Sequence, residues 1–394
     1  MSGGGGERVK KAVMYGSGNI GRGFIGRLFS DSGYEVVFLS RRLTELLSQR
    51  GGYTVRSVGN EGATEKRVAP VRAVAAGSDG AVAEIASCDV MATAVGVRNL
   101  ADIAPWIARG VAARMRASGG PLDILLCENL MDASAFMRRE IYRCLDGAQR
   151  DWAEKNLGLV EVSVGCIVPQ MDAEAARRDP LLVCAEPFDI LPVDRDAFRG
   201  PIPDIHGLIP FSPFEYCIDR KLYVHNCAHA VCAYLGYVRG HATIWEAITD
   251  AQVERDVRAA MTAGATALAR KFPGLGWESV EENVSGFLER LHNRALGDTV
   301  ARVGADPLRK LRRDDRIVGA ALFCQEQGVD PAPILKGLCA ALRFDASGDA
   351  SAALLREELR ERGLGYVVER RMGVRPEEAL YGKILAVCRG VLQS

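Results

Sequence analysis

The sequence predicts a doubly wound α/β domain followed by a mainly α-helical one. Three observations predict it. Short apolar runs alternate with helical stretches from Lys10 to about Pro201. A GxGxxG loop follows the first of those runs. Beyond a Pro/Gly-rich passage at residues 198–214 the spacing is helical almost throughout.

The 394 residues suffice for two domains, and 48% apolar with 25% charged residues is the balance of a globular protein. The formal net charge of zero supplies no field toward nucleic acid or an anionic membrane, and no apolar run is long enough to span a bilayer. Neither partner is therefore expected. MSGGGGERVKK lacks the apolar core of a signal peptide and reads as a flexible tail. Eleven cysteines without CxxC pairs argue against a disulfide framework, so a reduced, cytoplasmic chain is expected.

VKKAVMY, EVVFL, DVMATAV, DILLC and LVEVSVGCIV are the strand candidates. LFSDSG, RLTELLSQR, AEIAS, IAPWIARGVAARM and ASAFMRREIYRCL carry helical spacing between or after them. Ser212-Pro213-Phe214-Glu215 reads as a capping box opening the helical part. The domains are accordingly expected at residues 10–200 and 201–394.

Gly16, Gly18 and Gly21 stand between the strand KAVMY and a helical stretch. The first permits a tight turn, the second admits a pyrophosphate to the backbone, and the third lets helix and strand pack closely. The same pattern also occurs as a packing turn or in methyltransferases. About 20 residues on, NAD-binding chains place a carboxylate on the ribose. Here EVVFL runs into Ser40, Arg41 and Arg42. A hydroxyl and two guanidinium forks suit a 2′-phosphate, so NADP is favoured over NAD. Thr93, Ala94, Val95 and Gly96 are small residues a cofactor could lie against, and Glu128 and Asn129 end another buried strand.

In the second half, Lys221, His225, Asn226 and His229 fall within an arc of roughly 140° if DRKLYVHNCAHAVCAYLGY is a regular helix. A desolvated lysine could act as general base and an amide could stabilise a developing oxyanion. The HxxxH spacing also fits zinc, and a helix with histidines in merely local hydrogen bonds fits as well. Arg302, Arg309, Lys310, Arg312, Arg313 and Arg316 form a basic run. Converging on one helical face it would suit a phosphate; with Asp306, Asp314 and Asp315 interspersed it equally suits a salt-bridged surface.

GSGNIGRGFIG, ATAVG, CEN, RKLYVHNCAHAVCAYLG and RVGADPLRKLRRDDR occur in this order. The chain thereby resembles the mannitol-1-phosphate 5-dehydrogenases of the polyol-specific long-chain dehydrogenase/reductases. The resemblance implies a Rossmann-type N-terminal domain, a largely helical C-terminal domain, an active site between them and no metal. It implies Gly16, Gly18, Asn19, Ile20, Gly21, Thr93, Ala94, Val95 and Glu128 at the cofactor. Lys221 would be the general base, Asn226 and Asn129 would hold the substrate oxygen, and His229 rather than His225 would orient the substrate. Arg302, Arg309, Lys310 and Arg316 become candidates for substrate phosphate. The expected reaction interconverts mannitol 1-phosphate and fructose 6-phosphate, in a monomer or small homo-oligomer. Its rivals are a dehydrogenase of an unphosphorylated polyol or sugar acid, and a non-catalytic NADP-binding protein. Two departures from the family pattern stand out. Ser40 replaces the usual aspartate of NAD users, and His225, Cys227 and Ala228 replace small neutral residues around Asn226.

Overall fold

The computed structural model describes residues 8–392 apart from Gln170, Asp172 and Trp277; Met1–Glu7, most of the expected tail, lie outside the described residues. The chain divides into two compact units, Met1–Phe214 and Glu215–Ser394. The first is a Rossmann-type α/β unit and the second is mainly helical.

In the first unit the strands are β1 (Lys11–Tyr15), β2 (Glu35–Ser40), β3 (Tyr53–Gly59), β4 (Gly62–Val68), β5 (Val71–Ala75), β6 (Val90–Thr93), β7 (Leu122–Leu126), β8 (Leu157–Glu161), β9 (Val183–Ala185), β10 (Leu191–Asp194) and β11 (Leu208–Phe211). The helices are α1 (Gly26–Asp31), α2 (Thr44–Arg50), α3 (Asp79–Ser87), α4 (Leu100–Arg116), α5 (Ala133–Tyr142), α6 (Gly147–Asn156) and α7 (Ala173–Arg178). Six strands form one parallel sheet in the order β5-β2-β1-β6-β7-β8. Winding proceeds from β1 to one side and resumes from it on the other. The carboxyl ends of β1 and β6 therefore flank a crevice, the place where such sheets take ligands. Helices cover both faces, which is why these strands read as unbroken apolar runs. Ala12, Met14, Val36 and Phe38 enter one core, while Val13, Tyr15, Val37 and Leu39 enter the other.

Several expectations change. Of LVEVSVGCIV only residues 159–161 pair with β7, as the end of β8; the chain then leaves the sheet, Val162 bridging to Val193. The antiparallel hairpin β3–β4, joined by β9, makes a small separate sheet. β4 is exposed along most of its length, so it carries no apolar alternation to read. The α6 start, by contrast, holds a legible capping box in which Asp146 and Gln149 satisfy each other's backbone amides.

The second unit contains α8 (Glu215–Asp219), α9 (Cys227–Val238), α10 (Ile244–Thr249), α11 (Ala251–Lys271), α12 (Val280–Leu291), α13 (Val300–Gly304), α14 (Pro307–Lys310), α15 (Val318–Glu326), α16 (Ala332–Ala341), α17 (Ala350–Arg370) and α18 (Ala379–Leu392). A π-helical segment, Arg220–Asn226, joins α8 to α9 without a break. Helix α9 is buried nearly all round and packs against α10, α11, α13 and α16. The expected capping box at Ser212 does not form. Ser212 instead donates its hydroxyl to Asp196, and the helix opens at Glu215. The expectation of a wholly reduced chain is also corrected, because Cys339 on α16 and Cys388 on α18 are disulfide-bonded.

Candidate functional site

The turn after β1 leaves no room for side chains. Gly16 has φ +109°, and a Cβ there would lie 2.4 Å from the Ala94 carbonyl oxygen. A Cβ on Gly21 would lie 2.1 Å from the Gly16 carbonyl oxygen, so these two glycines close the loop on itself and on the end of β6. Gly18 differs, for its Cβ would meet nothing within 4 Å. Its backbone is the open member of the three. From Gly21 to Ile25 the helix after the loop winds as a π-turn before continuing as α1. Arg22, buried in that turn, donates from Nε to the Ser17 carbonyl at 2.8 Å and from Nη1 to Leu181 at 2.7 Å, which pins the loop from behind.

A cavity of about 560 Å³ opens in front of the loop. Gly16, Gly18, Ser40, Arg41, Arg42, Ala94 and Val95 line it, together with Tyr15, Ser17, Asn99 and Ile103. Of these, the last four were missed by sequence reasoning. Asn99 holds the Val95 carbonyl at 2.8 Å and Ile103 sits one turn along α4. Ile103 opens the stretch IAPWIARGVAARM, whose helical spacing marks burial and not a cavity, and Asn99 carries no such signal. Asn19, Ile20, Gly21, Thr93 and Glu128 are not among the lining residues. Gly21 and Thr93 lie behind the wall, and Glu128 braces it. Its carboxylate accepts the Thr93 hydroxyl at 2.7 Å and the Val95 amide at 2.9 Å. Burial pushes this carboxyl above its ordinary value, and those two donors offset part of the rise. Asn129, next in sequence, is exposed beyond the carboxyl end of β7.

No lining residue is a carboxylate. At the end of β2 the Ser40 and Ser17 hydroxyl oxygens are 2.5 Å apart, and Ser40 also accepts from the Arg42 amide at 3.2 Å. Arg41 reaches Asp102 at 3.3 Å, both largely exposed. The Arg42 guanidinium has no ion-pair partner among the described residues.

In the second unit the π-segment alters the face read from a regular helix. Its i→i+5 backbone pattern widens the turn and brings residues five apart toward one side. Lys221 and Asn226 are so spaced, and His229 follows Asn226 by three residues on the regular helix α9. The segment is held by close packing. A Cβ on Gly264 would lie 2.7 Å from the Tyr223 carbonyl oxygen and one on Gly319 would lie 2.9 Å from the Tyr223 ring, which stacks on Phe323. His225 leaves the cluster. It is buried, its Nε2 pairs with Asn283 Oδ1 at 2.9 Å, and its ring stacks on Phe287 at 4.5 Å. Burial first, and then the nearby Arg220 and Arg290, hold it well below the usual imidazole value. His225 is thus a satisfied core histidine. His229 is partly exposed, with Nε2 3.2 Å from Asp298 Oδ2. Lys221 is half-buried, and the half-buried Asn226 amide has no hydrogen-bond partner among the described residues.

The basic run is not one helix. Asp306 adopts φ +58°, and α13 and α14 are separate short helices on either side of it. Arg302 pairs with Asp298, Arg309 with Asp306 and Asp315, and Arg316 with Asp315 at 2.7 Å. Lys310 is buried with its ammonium on the Ala305 carbonyl. Burial, then Arg309 and Arg316, push its pKa down to about 8.

Such a pair of units, a Rossmann sheet with an open glycine loop and a helical unit carrying lysine, asparagine and histidine on one helix, has the make-up of a two-domain dehydrogenase. Residues 10–207 match the description "Mannitol dehydrogenase Rossmann domain" and residues 213–366 match "Mannitol dehydrogenase C-terminal domain". The chain belongs to the mannitol dehydrogenase family. It is 36% identical over 378 residues to the mannitol-1-phosphate 5-dehydrogenase of Bacillus subtilis, covering 95% of this chain and 98% of that one. It is 35% identical over 379 residues to the mannitol-1-phosphate 5-dehydrogenase of Bacillus licheniformis, with the same coverage of 95% and 98%. Among solved structures, the Pseudomonas fluorescens mannitol 2-dehydrogenase in ternary complex with NAD and D-mannitol shares the fold. Its TM-score is 0.75 at 15% identity, over 98% of this chain and 92% of that one.

The glycines differ in what they protect, and two substitutions should separate the roles. Gly21→Ala should lower the urea unfolding free energy of the protein by about 1–3 kcal/mol through overpacking. Gly18→Ala should leave unfolding nearly unchanged and raise the dinucleotide Kd by about tenfold, measured by fluorescence titration. Equal losses of stability in both would contradict the assignment of Gly18 to the open face of the loop.

Proposed function

We propose that the protein is a dinucleotide-dependent dehydrogenase that interconverts mannitol 1-phosphate and fructose 6-phosphate, with NADP preferred over NAD. The observation that carries this reading is the π-segment that turns Lys221 and Asn226 toward one side ahead of His229, in a chain 36% identical to a mannitol-1-phosphate 5-dehydrogenase.

The glycine-loop cavity fits the cofactor. Gly18 offers an open backbone for a pyrophosphate, and Ala94 and Val95 give a small-residue wall. At the β2 end a lining without carboxylates and an Arg42 guanidinium with no ion-pair partner among the described residues favour a ribose 2′-phosphate. When bound, the dinucleotide supplies hydride exchange with the carbinol carbon. The protein's own groups manage the oxygen. Lys221 takes the hydroxyl proton during oxidation and returns it to the carbonyl oxygen during reduction. The Asn226 amide donates to that oxygen as negative charge develops, and His229 orients the polyol hydroxyls.

Lys310, with Arg309 and Arg316 close enough to depress its pKa, is the group we assign to the substrate phosphate. One observation favours an unphosphorylated substrate instead, namely that Arg302, Arg309 and Arg316 already pair with carboxylates.

Initial rates with NADPH and NADH, on fructose 6-phosphate and on fructose, test both choices. Lower KM for NADPH and turnover of the phosphorylated ketose are expected; turnover of fructose alone would overturn the phosphate assignment. Lys221→Ala should cut kcat by about 10²–10⁴-fold with dinucleotide affinity retained. An undiminished rate would remove Lys221 from the mechanism.

The Lys310 assignment also has a pH signature. Its folded pKa of about 8 lies below the ordinary 10.5, so the native state resists protonation and its stability rises with pH across that window. A bound phosphate favours the ammonium, so binding above pH ~8 takes up a proton. The KM for fructose 6-phosphate should therefore rise with pH above about 8, and Lys310→Met should flatten that rise. A KM independent of pH in the wild type would exclude Lys310 as the phosphate ligand.

A further inference from the structure

Asp298 sets a largely buried carboxylate beside His229 in the helical unit, and the proposed reaction does not employ it. It is held firmly. Its carbonyl accepts the Ile244 amide at 2.9 Å, Thr299 beside it bridges to Thr243, and Thr299 caps α13. Its side chain is 7% exposed. Oδ1 accepts from Arg302 Nε at 2.6 Å and faces Nη2 at 2.5 Å. Oδ2 is buried and has no hydrogen-bond partner among the described residues; His229 Nε2 faces it at an ion-pair distance of 3.2 Å. Phe287 meets the His229 ring edge-on with centroids 6.4 Å apart, which limits its rotation.

We infer that Asp298 is a positioning residue that fixes the neutral His229 imidazole with its proton on Nε2, leaving Nδ1 as the acceptor for a substrate hydroxyl. Arg302 belongs to this device and is not a phosphate ligand. The inference rests on the substrate contact proposed above for His229. The physical reason lies in the donor inventory. An ionised carboxylate only accepts, so the ring nitrogen facing it must carry hydrogen. Burial alone would raise the Asp298 carboxyl, but His229 and Arg302 outweigh it and hold the group below its usual range, so it remains an acceptor at neutral pH. Arg302 adds direction. Because it donates to one side of the carboxylate, only the other side is left for the imidazole.

The same asymmetry supplies the test. In Asp298→Asn the carboxamide oxygen turns to Arg302 and the NH₂ group is presented to His229, which forces Nε2 to accept and moves the ring proton to Nδ1. Initial rates of fructose 6-phosphate reduction should then show kcat/KM lowered by about 10–100-fold. In the double variant Asp298→Asn/Arg302→Met the amide is released to turn its oxygen to His229, and part of the rate should return. A merely structural Asp298 would make the double variant worse than the single one, and that result overturns the inference. Nitrogen-15 spectra of the histidines, with the His229 signal assigned by its loss in His229→Gln, read the tautomer in the wild type without relying on the folding of any Asp298 variant. A proton on Nδ1 there also overturns the inference. If His229→Gln leaves turnover unchanged, the role of His229 falls and this inference with it. If His229→Gln lowers turnover while Asp298→Asn does not, only the inference falls.

Discussion

The close approach of three backbone segments at the carboxyl end of β1 is the constraint on which the first unit depends. The Gly16 carbonyl occupies the space where Gly21 would carry a Cβ, and the Ala94 carbonyl occupies that of Gly16. With both places filled by main chain, the loop leads directly from β1 into its helix, and the cavity is walled by the loop on one side and by the end of β6 on the other. Arg22 and Glu128 then act from behind. One ties the loop to residues 180 and 181, and the other ties the ends of β6 and β7 together. Both are charged groups taken out of water and compensated by several hydrogen bonds each, the condition under which burial of charge is tolerable.

A second constraint of the same kind shapes the helical unit. The π-segment Arg220–Asn226 exposes a bulged backbone that neighbours must accommodate, and Gly264 and Gly319 do so by lacking side chains where Tyr223 approaches. Both units therefore place a π-turn on the helix that carries their candidate functional groups, Gly21–Ile25 in one and Arg220–Asn226 in the other. Widened turns of this sort aim side chains that a regular helix would distribute around its circumference.

Charge is arranged locally throughout. The arginines of the 302–316 run are matched by Asp298, Asp306, Asp314, Asp315 and Glu378, so a stretch that looks basic in sequence presents mostly compensated pairs. Lys310 is the exception, for it is buried with its ammonium on the Ala305 carbonyl.

The apolar runs of β1, β2, β6 and β7, the glycine spacing and the K-x4-N-x2-H pattern were legible because each depends on local rules of strand burial, turn sterics and residue type. From them the sequence by itself determined the order of units, the Rossmann sheet and the family. The hairpin β3–β4 was not legible, since its exposed residues carry no apolar alternation, and the long run after Leu157 hid the point where β8 ends. The motif points to His229 over His225, but only tertiary structure shows where each lies, burying the first against Asn283 and Phe287 and setting the second beside Asp298. It alone broke the basic run at Asp306 and gave each arginine its carboxylate. Tertiary structure alone also brought Ser17, Asn99 and Ile103 to the cavity of the glycine loop. Such outcomes depend on contacts between residues distant in the chain, and neither spacing nor composition encodes which of several similar side chains will find a partner.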